Sequence, residues 1–429
     1  MAPEIVALIM IGVLVVLLAS GTRIAIALGL TALIVAVVIG WKPNVIGYPL
    51  YGETNSYFLT CLPLFVLMGA IFIHSGVAES LFRGLTTLFG SFPGGLLHVN
   101  VAASTMFAAM SGSSVAGTAT IGGVSYEEEI RRGYPPDIIT GSLVCSGTLG
   151  ILIPPSIPLI VYATMVNESI GRLFVAGIIP GLIVALVFMI YIFLRAVVQK
   201  RAFPQGGSYT VKQKAVALRE LVLPLATVTI VLGGIYLGLT TPTEAGAMGA
   251  AIAIIIALAR RKLSLSMLKQ AGLTTLTTTC MIMVLMALAR AMSTLLSYVG
   301  LPDVILGFIN DLELSIYVVL LMLWVMYIIL GMFLDPMSVM ILTLPIVAPI
   351  VVGLGFNLIW FGIVLIMFIE MGLITPPVGL NLFVMQKMAR DVPVGTIIKG
   401  SLPFLALMIV VVWLLTFFPG IVLLLPNLM

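Results

Sequence analysis

Apolar runs of about twenty residues, the length a helix needs to cross the hydrocarbon core of a bilayer, recur from Ile5 to the end of the chain and leave no stretch long enough for a soluble domain. Of 429 residues, 61% are hydrophobic and only 8% charged, with a mean hydropathy of +1.26. A water-soluble fold could not hide that much apolar surface, so lipid is the solvent and the whole chain is one membrane unit. The first run follows Glu4 rather than the Lys or Arg of a signal peptide and leads directly into a second run, so Ile5 to Ala19 reads as a retained span. Cys61, Cys145 and Cys280 are far apart within apolar stretches; they suggest small core residues, not a disulfide framework or a metal spacing.

Apolar periodicity and Gly, Pro and charge punctuation predict spans near 4–20, 24–41, 58–75, 137–166 and 170–198. A polar, basic linker follows at 199–220, and further spans are predicted near 221–239, 244–260, 276–298, 358–389 and 396–425. Two more apolar segments, near 96–129 and 315–352, are broken at their centres by residues that a lipid-facing helix disfavours, and both read as re-entrant hairpins. The expected fold is therefore an all-α polytopic membrane protein with two re-entrant hairpins, divided into 1–198, the linker 199–220, and 221–429.

The net charge of +4 has a topological cause, because Lys and Arg accumulate on the cytoplasmic side of a membrane protein. With the N-terminus outside, 17 of the 20 basic residues fall inside, including Arg83, Arg131, Arg132, Arg201, Arg260 and Lys387. Lys42 and Arg172 fall outside, and Arg290 lies within a span. The two hairpins then enter from opposite faces.

A shift of 222 positions lays Gly150-Ile-Leu-Ile-Pro154-Pro155 on Gly372-Leu-Ile-Thr-Pro376-Pro377 and Ser113 on Asp335. With small gaps, Gly76 also meets Gly300. Each half holds an odd number of crossings, so the second must sit upside down relative to the first. Such inverted repeats with broken helices at the membrane midplane are a recurrent architecture of secondary transporters.

Four segments break the rule that backbone polar groups in a bilayer are satisfied within a helix. They are the tips Ser111-Gly112-Ser113-Ser114 and Gly331-Met-Phe-Leu-Asp335-Pro336, and the interruptions Gly150 to Ser156 and Gly372 to Gly379. A Pro-Pro pair removes two amide donors and drives the preceding residue out of helical geometry, which frees carbonyls of the previous turn for a cation. Pairing each tip with the broken span of its own half gives two sites. The first combines Ser111, Ser113 and Ser114 with carbonyls from Gly150 to Pro155. The second combines carbonyls near Gly331 and Asp335 with Gly372, Thr375 and Pro377. Hard, mostly neutral oxygen ligands suit sodium better than zinc, copper or calcium. Free amides at the tips favour a carboxylate substrate. The competing reading is that these small residues and prolines serve only close helix packing and kinks.

Among single residues, Asp335 asks for a partner cation or a hydrogen-bond role, since an ionised carboxylate at the bilayer centre costs about 2.5–3.5 kcal/mol; a plain helix cap is the alternative. Arg290 either holds a substrate carboxylate or supports the scaffold, and Glu370 either tunes the second break or makes a structural hydrogen bond. His74 and His98 read as packed or interfacial histidines. Glu244 begins a helix, where an acid complements the dipole.

The serine-glycine tip Ser111-Gly-Ser-Ser-Val-Ala-Gly-Thr-Ala-Thr, the Gly150 to Ser156 break, Thr241-Pro-Thr-Glu-Ala and Gly372-Leu-Ile-Thr-Pro-Pro-Val-Gly-Leu-Asn381 resemble the large membrane subunit of TRAP (tripartite ATP-independent periplasmic) transporters over nearly the full length. The resemblance implies an elevator-type sodium symporter in a bacterial inner membrane, importing acids such as sialic acid or four-carbon dicarboxylates. It implies a small four-helix membrane subunit, expected as a separate polypeptide because no four-span segment precedes the first span here, and a periplasmic substrate-binding protein. It implies one sodium site at Ser111, Ser113, Gly150, Ile153 and Pro155, another at Gly331, Gly372, Thr375 and Pro377, and Asp335 near the substrate, with Ser113, Ser114 and Arg290 as further candidates for substrate contact. Selection of the acid is largely the task of the binding protein in that family. The rival readings are a stand-alone carrier of the same fold, a channel, and an intramembrane enzyme; for the last, the chain has no His-Glu-x-x-His or Gly-x-Gly-Asp motif.

Overall fold

The first half of the chain sets down a series of helices that the second half repeats in order. Pro3–Ala19 (α1) and Ile24–Val38 (α2) are followed by Cys61–His74 (α3) and Val77–Phe89 (α4), then Gly95–Ser111 (α5) and Ser114–Arg131 (α6), then Pro136–Leu152 (α7) and Ile157–Val166 (α8), then Ile170–Val198 (α9). Val211–Tyr236 (α10) and Pro242–Ala259 (α11) open the second series. Leu265–Val299 (α12) and Leu301–Asp311 (α13), Ile316–Phe333 (α14) and Pro336–Gly353 (α15), Leu358–Leu373 (α16) and Leu380–Met388 (α17), and Val394–Phe417 (α18) complete it. The short Gly420–Leu423 (α19) closes the chain. This computed structural model describes residues 3–41, 47, 48, 50–52, 55–200, 203, 204, 207 and 209–429. Lys42 and Arg201, both used above to orient the chain, lie outside the described residues, as does part of the linker.

The 222-residue shift also holds for helix boundaries. It carries the start of α6 at Ser114 onto the start of α15 at Pro336, its end at Arg131 onto Gly353, and the start of α7 at Pro136 onto Leu358. Gly76 and Gly300 occupy equivalent corners, both left-handed at φ 72° and 71°, where glycine has no Cβ to clash. At the first corner α3 and α4 are bent by 65°. The helices beyond the corners, α4 and α13, were not expected as separate elements. Leu81, Leu85 and Leu88 recur on one side of α4 while Glu79, Arg83 and Thr87 occupy the other, the pattern of a helix lying at an interface.

Two boundaries differ from those expected. The α10 helix begins at Val211, inside the segment read as linker, because Thr210 and Gln213 form a reciprocal capping box that starts it ten residues before the apolar run. The α12 helix begins at Leu265, capped by Ser264, so its polar first turns precede the predicted span. By length and composition, eight helical segments among the described residues could cross a membrane, counting α7 with α8 as one, and the bent α3–α4 pair would be a ninth. Cys61 and Cys145 are buried as expected, whereas Cys280 is exposed on the outer face of α12. An apolar run does not tell the lipid face from the interior.

The halves interlock. The α18 helix packs along α7 through the facing glycines Gly141 and Gly400, where a Cβ on either would collide with the other helix's backbone. The α9 helix packs on both α7 and α16, and Tyr162 on α8 donates to the Leu358 carbonyl at 2.6 Å. Another group forms where α3 packs against α11 and α12, and α2 against α12, and it meets the hairpins where α3 lies on α5 and α12 on α15. Thr241 and Glu244 form a second capping box, which bears out the capping role expected for Glu244. His98 is buried with Nε2 3.0 Å from the Pro93 carbonyl, a packed histidine.

Candidate cation and substrate site

The first tip is a break of two residues. The α5 helix ends at Gly112, left-handed at φ 62°, and Ser113 is extended and caps α6 by accepting from the Ala116 amide at 3.4 Å. Facing it, α7 stops where Ile153 turns extended, and α8 restarts with Ser156 as its cap; the Pro154-Pro155 peptide is cis. Backbone meets backbone between them. A Cβ on Gly150 would stand 2.6 Å from the Ser113 carbonyl oxygen, and one on Gly112 would stand 2.8 Å from that of Pro155. Behind the tip, a Cβ on Gly69 of α3 would stand 2.8 Å from the Ser111 carbonyl oxygen. Glycine at these places is what allows the close approach.

The second half repeats the arrangement. The α14 helix ends before Leu334 and Asp335, both extended, and α16 stops at Leu373 before a cis Pro376-Pro377 peptide. A Cβ on Gly372 would lie 2.6 Å from the Gly331 backbone, and the Gly379 amide donates to the Met332 carbonyl at 3.2 Å. Each tip therefore docks on the broken helix of its own half, the pairing expected from the sequence.

The two docks differ in exposure. Residues 151–160 around the first break are all buried, whereas Thr375 and Pro376 are half-buried and Pro377 is exposed. At the first dock, the Ser111 hydroxyl is buried with no hydrogen-bond partner, an orphaned oxygen of the kind a sodium ion would satisfy. At the second, the Thr375 hydroxyl donates to the Met371 carbonyl at 2.6 Å, which leaves its lone pairs available to a cation. The neutral oxygens present at both docks fit a monovalent cation.

Asp335 caps α15, accepting from the Met337 and Ser338 amides at 3.1 and 3.2 Å and from the Ser338 hydroxyl at 2.5 Å. It is half-buried at the second tip. Arg290 lines a cavity of about 260 Å³ between the ends of α8, α12 and α15, with Asn167 and Ser293; none of Ser111, Ser113, Ser114 and Asp335 lines it. Arg290 is thus not gathered into that cavity with the other candidates for substrate contact.

Two residues stand where the halves meet at the site. Asn381, at the start of α17, donates to the Ser114 hydroxyl at 2.7 Å and to the Val144 carbonyl at 3.3 Å, so the second break is tied to the first tip. Glu370 is fully buried on α16, and neither of its carboxyl oxygens has a hydrogen-bond partner. Its helix packs against α7, which ends at the first break. Both Asn381 contacts span more than 200 positions of sequence, and no local signal carries them.

A scan against family models matches residues 11–421 to the Tripartite ATP-independent periplasmic transporter, DctM component. The chain belongs to this TRAP transporter family. It is 36% identical to the C4-dicarboxylate TRAP transporter large permease protein DctM of Pseudomonas aeruginosa, with 88% of each chain covered. It is 30% identical to the sialic acid TRAP transporter large permease protein SiaM of Vibrio cholerae, with 90% of each covered. The match to the sialic acid TRAP transporter permease protein SiaT of Haemophilus influenzae, also at 30% identity, covers 96% of this chain and 69% of that one. Among solved structures, the YdaH transporter of Alcanivorax borkumensis shares the fold with a TM-score of 0.58 at 16% identity, covering 88% of this chain and 86% of that one. The TRAP family places this chain among multi-pass membrane transporter permeases.

Proposed function

We propose that this TRAP permease chain is the large subunit of a sodium-coupled symporter that imports a small organic acid of the C4-dicarboxylate or sialic acid class across a bacterial inner membrane. The observation that carries this reading is the paired docking of each hairpin tip, backbone to backbone, on the Pro-Pro break of its own half. Ser111, Ser113 and the Gly150, Ile153 and Pro155 backbone would hold one sodium ion. Gly331, Gly372, Thr375 and Pro377 would hold the other. The acid would lie between the tips, near Ser113, Ser114 and Asp335. Relatives of similar length are named for both classes of acid.

The two halves, 1–198 and 221–429 joined by 199–220, form an inverted repeat with the N-terminus outside. The hairpins and broken helices move together as an elevator against the group built on α3, α11 and α12. From their packing, α9 and α18 travel with the broken helices. Each net positive charge carried inward gains about 2.3 kcal/mol per 100 mV of membrane potential, so sodium in excess of substrate charge drives accumulation. A periplasmic binding protein delivers the acid. A small four-helix membrane subunit assembles with this one in the bilayer.

The test is uptake of a panel of labelled acids into proteoliposomes, with and without sodium, the small subunit and the binding protein. Sodium-dependent uptake that needs the binding protein is the expected result. Uptake by this chain alone supports a stand-alone carrier instead. Ser113→Leu or Thr375→Leu should abolish sodium-dependent uptake, and full retained uptake in either removes that site assignment.

A further inference from the structure

Inside the first hairpin, away from its tip, Asn100 on α5, Glu129 on α6 and Ser142 on α7 meet in a cluster that is fully buried. The Asn100 carboxamide donates both of its protons, one to Glu129 Oε2 at 3.1 Å and one to the Ser142 hydroxyl at 3.0 Å. The Ser142 proton is used in turn on the Ile139 carbonyl at 2.9 Å. Every donor in the cluster is spent, yet two acceptors remain buried without a partner: Glu129 Oε1 and Asn100 Oδ1. Leaving such groups unmet is destabilising, and an unpaired buried charge is more so.

One proton resolves both. Placed on Glu129 Oε1, it would be donated to Asn100 Oδ1 while Asn100 Nδ2 continues to donate to Oε2, closing the eight-membered ring of a carboxylic acid paired with an amide. The proton is taken from hydronium, whose O–H bond breaks to leave water as the O–H bond at Oε1 forms, and the carboxylate becomes a neutral acid. The surrounding ionisable groups leave this opening. Arg132 is held by Glu128 at 2.8 Å, and Asp137 at the head of α7 by Arg195 at 2.5 Å. The Tyr134 hydroxyl accepts from the Leu96 amide at 3.3 Å, His98 is engaged with the Pro93 carbonyl, and Lys387 on α17 stands 4.5 Å over the Phe383 ring.

Packing alone does not require the cluster. At the 222-residue shift the same three places hold Met322, which is exposed, and the buried Val351 and Val364, so the second hairpin docks on its broken helix with no polar cluster there. We propose that Glu129, with Asn100 and Ser142, is a proton-binding site in the first hairpin. The bound proton ties α5 and α6 to one another and to α7, and its loss leaves a charge in the hairpin's interior.

The test uses the full chain in lipid nanodiscs. Infrared spectra of the wild type at neutral pH should contain the carbonyl band of a protonated carboxylic acid that Glu129→Gln removes and Glu370→Gln does not. Because glutamine's amide donates to Asn100 Oδ1 where the acid proton did, Glu129→Gln should match the wild type in thermal stability at mildly acidic pH. It should exceed the wild type by a margin that grows as pH rises and the wild type is driven to lose its proton. The proposal is overturned by an acid band that Glu129→Gln leaves unchanged, by a variant that loses stability relative to the wild type as pH rises, or by one that does not fold.

Discussion

The two hairpin bundles share helix boundaries at a fixed shift yet differ in what fills them. Asn100, Ser104, Thr118, Glu129, Ser142 and Ser146 in the first stand where the second has Met322, Met326, Met340, Val351, Val364 and Phe368. All six residues of the first set are buried, and Ser104, Thr118 and Ser146 have hydroxyls without a hydrogen-bond partner. At those six places the second bundle is apolar; its polar groups lie elsewhere, in the Tyr327–Thr343 pair at 2.8 Å, in Asp335 with Ser338 at the tip, and in Glu370 buried on α16. The legs differ as well. The α5 and α6 helices pack on each other and both on α7, whereas α14 runs along α16 and α15 turns to α12, α13 and α8. A hairpin can therefore dock on a broken helix without polar residues at those six places. The polar interior of the first bundle needs another reason, and capacity to bind cations or protons is one that apolar side chains cannot supply.

What the bundles have in common is the glycine at each dock, so the largest effect should be equal in both. Gly150→Ala and Gly372→Ala each place a Cβ 2.6 Å from backbone of the opposing tip, which cannot move aside as a side chain would. Overpacking of this kind costs about 1–3 kcal/mol, roughly a ten- to hundredfold loss of the seated tip. Sodium-dependent uptake should fall by that factor in both variants. A loss in only one would break the equivalence of the two docks.

The next effect should be confined to the first bundle. Asn100→Leu strips Glu129 of its partner and should lower stability by about 1–3 kcal/mol, the cost of a buried polar group left without a partner. In the second bundle, Met340→Leu conserves volume at a buried apolar place and should cost less than about 1.5 kcal/mol. Thermal unfolding of the two variants in detergent reads the difference. Equal losses would mean that the polar interior has no special weight.

A smaller effect tests the tie between the halves. Ser114→Ala removes the hydroxyl that accepts from Asn381 and leaves that carboxamide only the Val144 carbonyl at 3.3 Å. The expected cost is about 1 kcal/mol. Combined with Asn381→Ala in a double-mutant cycle, the two losses should be less than additive, since both remove one contact.

Much of this plan is legible in the residues. Gly-x-x-x-Pro-Pro at a constant register, with a Ser-Gly-Ser-Ser tip and an Asp-Pro tip at the same shift, marks both docks, because only a few residue types end a helix in apolar surroundings. The cap at Glu244 is equally local. Other features are less so. The α4 helix shows an amphipathic pattern, but it is short and follows an apolar run that is complete without it. Glu129 sits in Glu127-Glu128-Glu129 beside two arginines and reads as a solvated helix end. Its burial shows only when Ser114, Thr118, Ser125 and Glu129, spaced by four and seven, are placed on one helical face. Asn381 and the helix that carries Glu370 meet the other half of the chain, and no pattern within one segment encodes a partner more than 200 positions away. Ten spans were expected and eight or nine segments pass a length test, because α1, α2 and α16 are short while the legs of the second hairpin are each 18 residues long.

The smallest effect belongs to the second bundle. Tyr327 is fully buried, and its hydroxyl meets that of Thr343 across the two legs of the hairpin. Thr343 also donates to the Val339 carbonyl at 2.8 Å, so its proton is already placed and the Tyr327 hydroxyl is the donor of the pair. Tyr327→Phe keeps the ring and deletes the donor. The threonine oxygen loses one accepted bond but keeps its own donation, so no buried proton is stranded. The cost should be about 0.5–1.5 kcal/mol, the net worth of one hydrogen bond, with sodium-dependent uptake little changed. A loss as large as that of Asn100→Leu would show that the second bundle also depends on a polar contact, and the contrast between the two hairpins would then lie in the number of such contacts instead of their role.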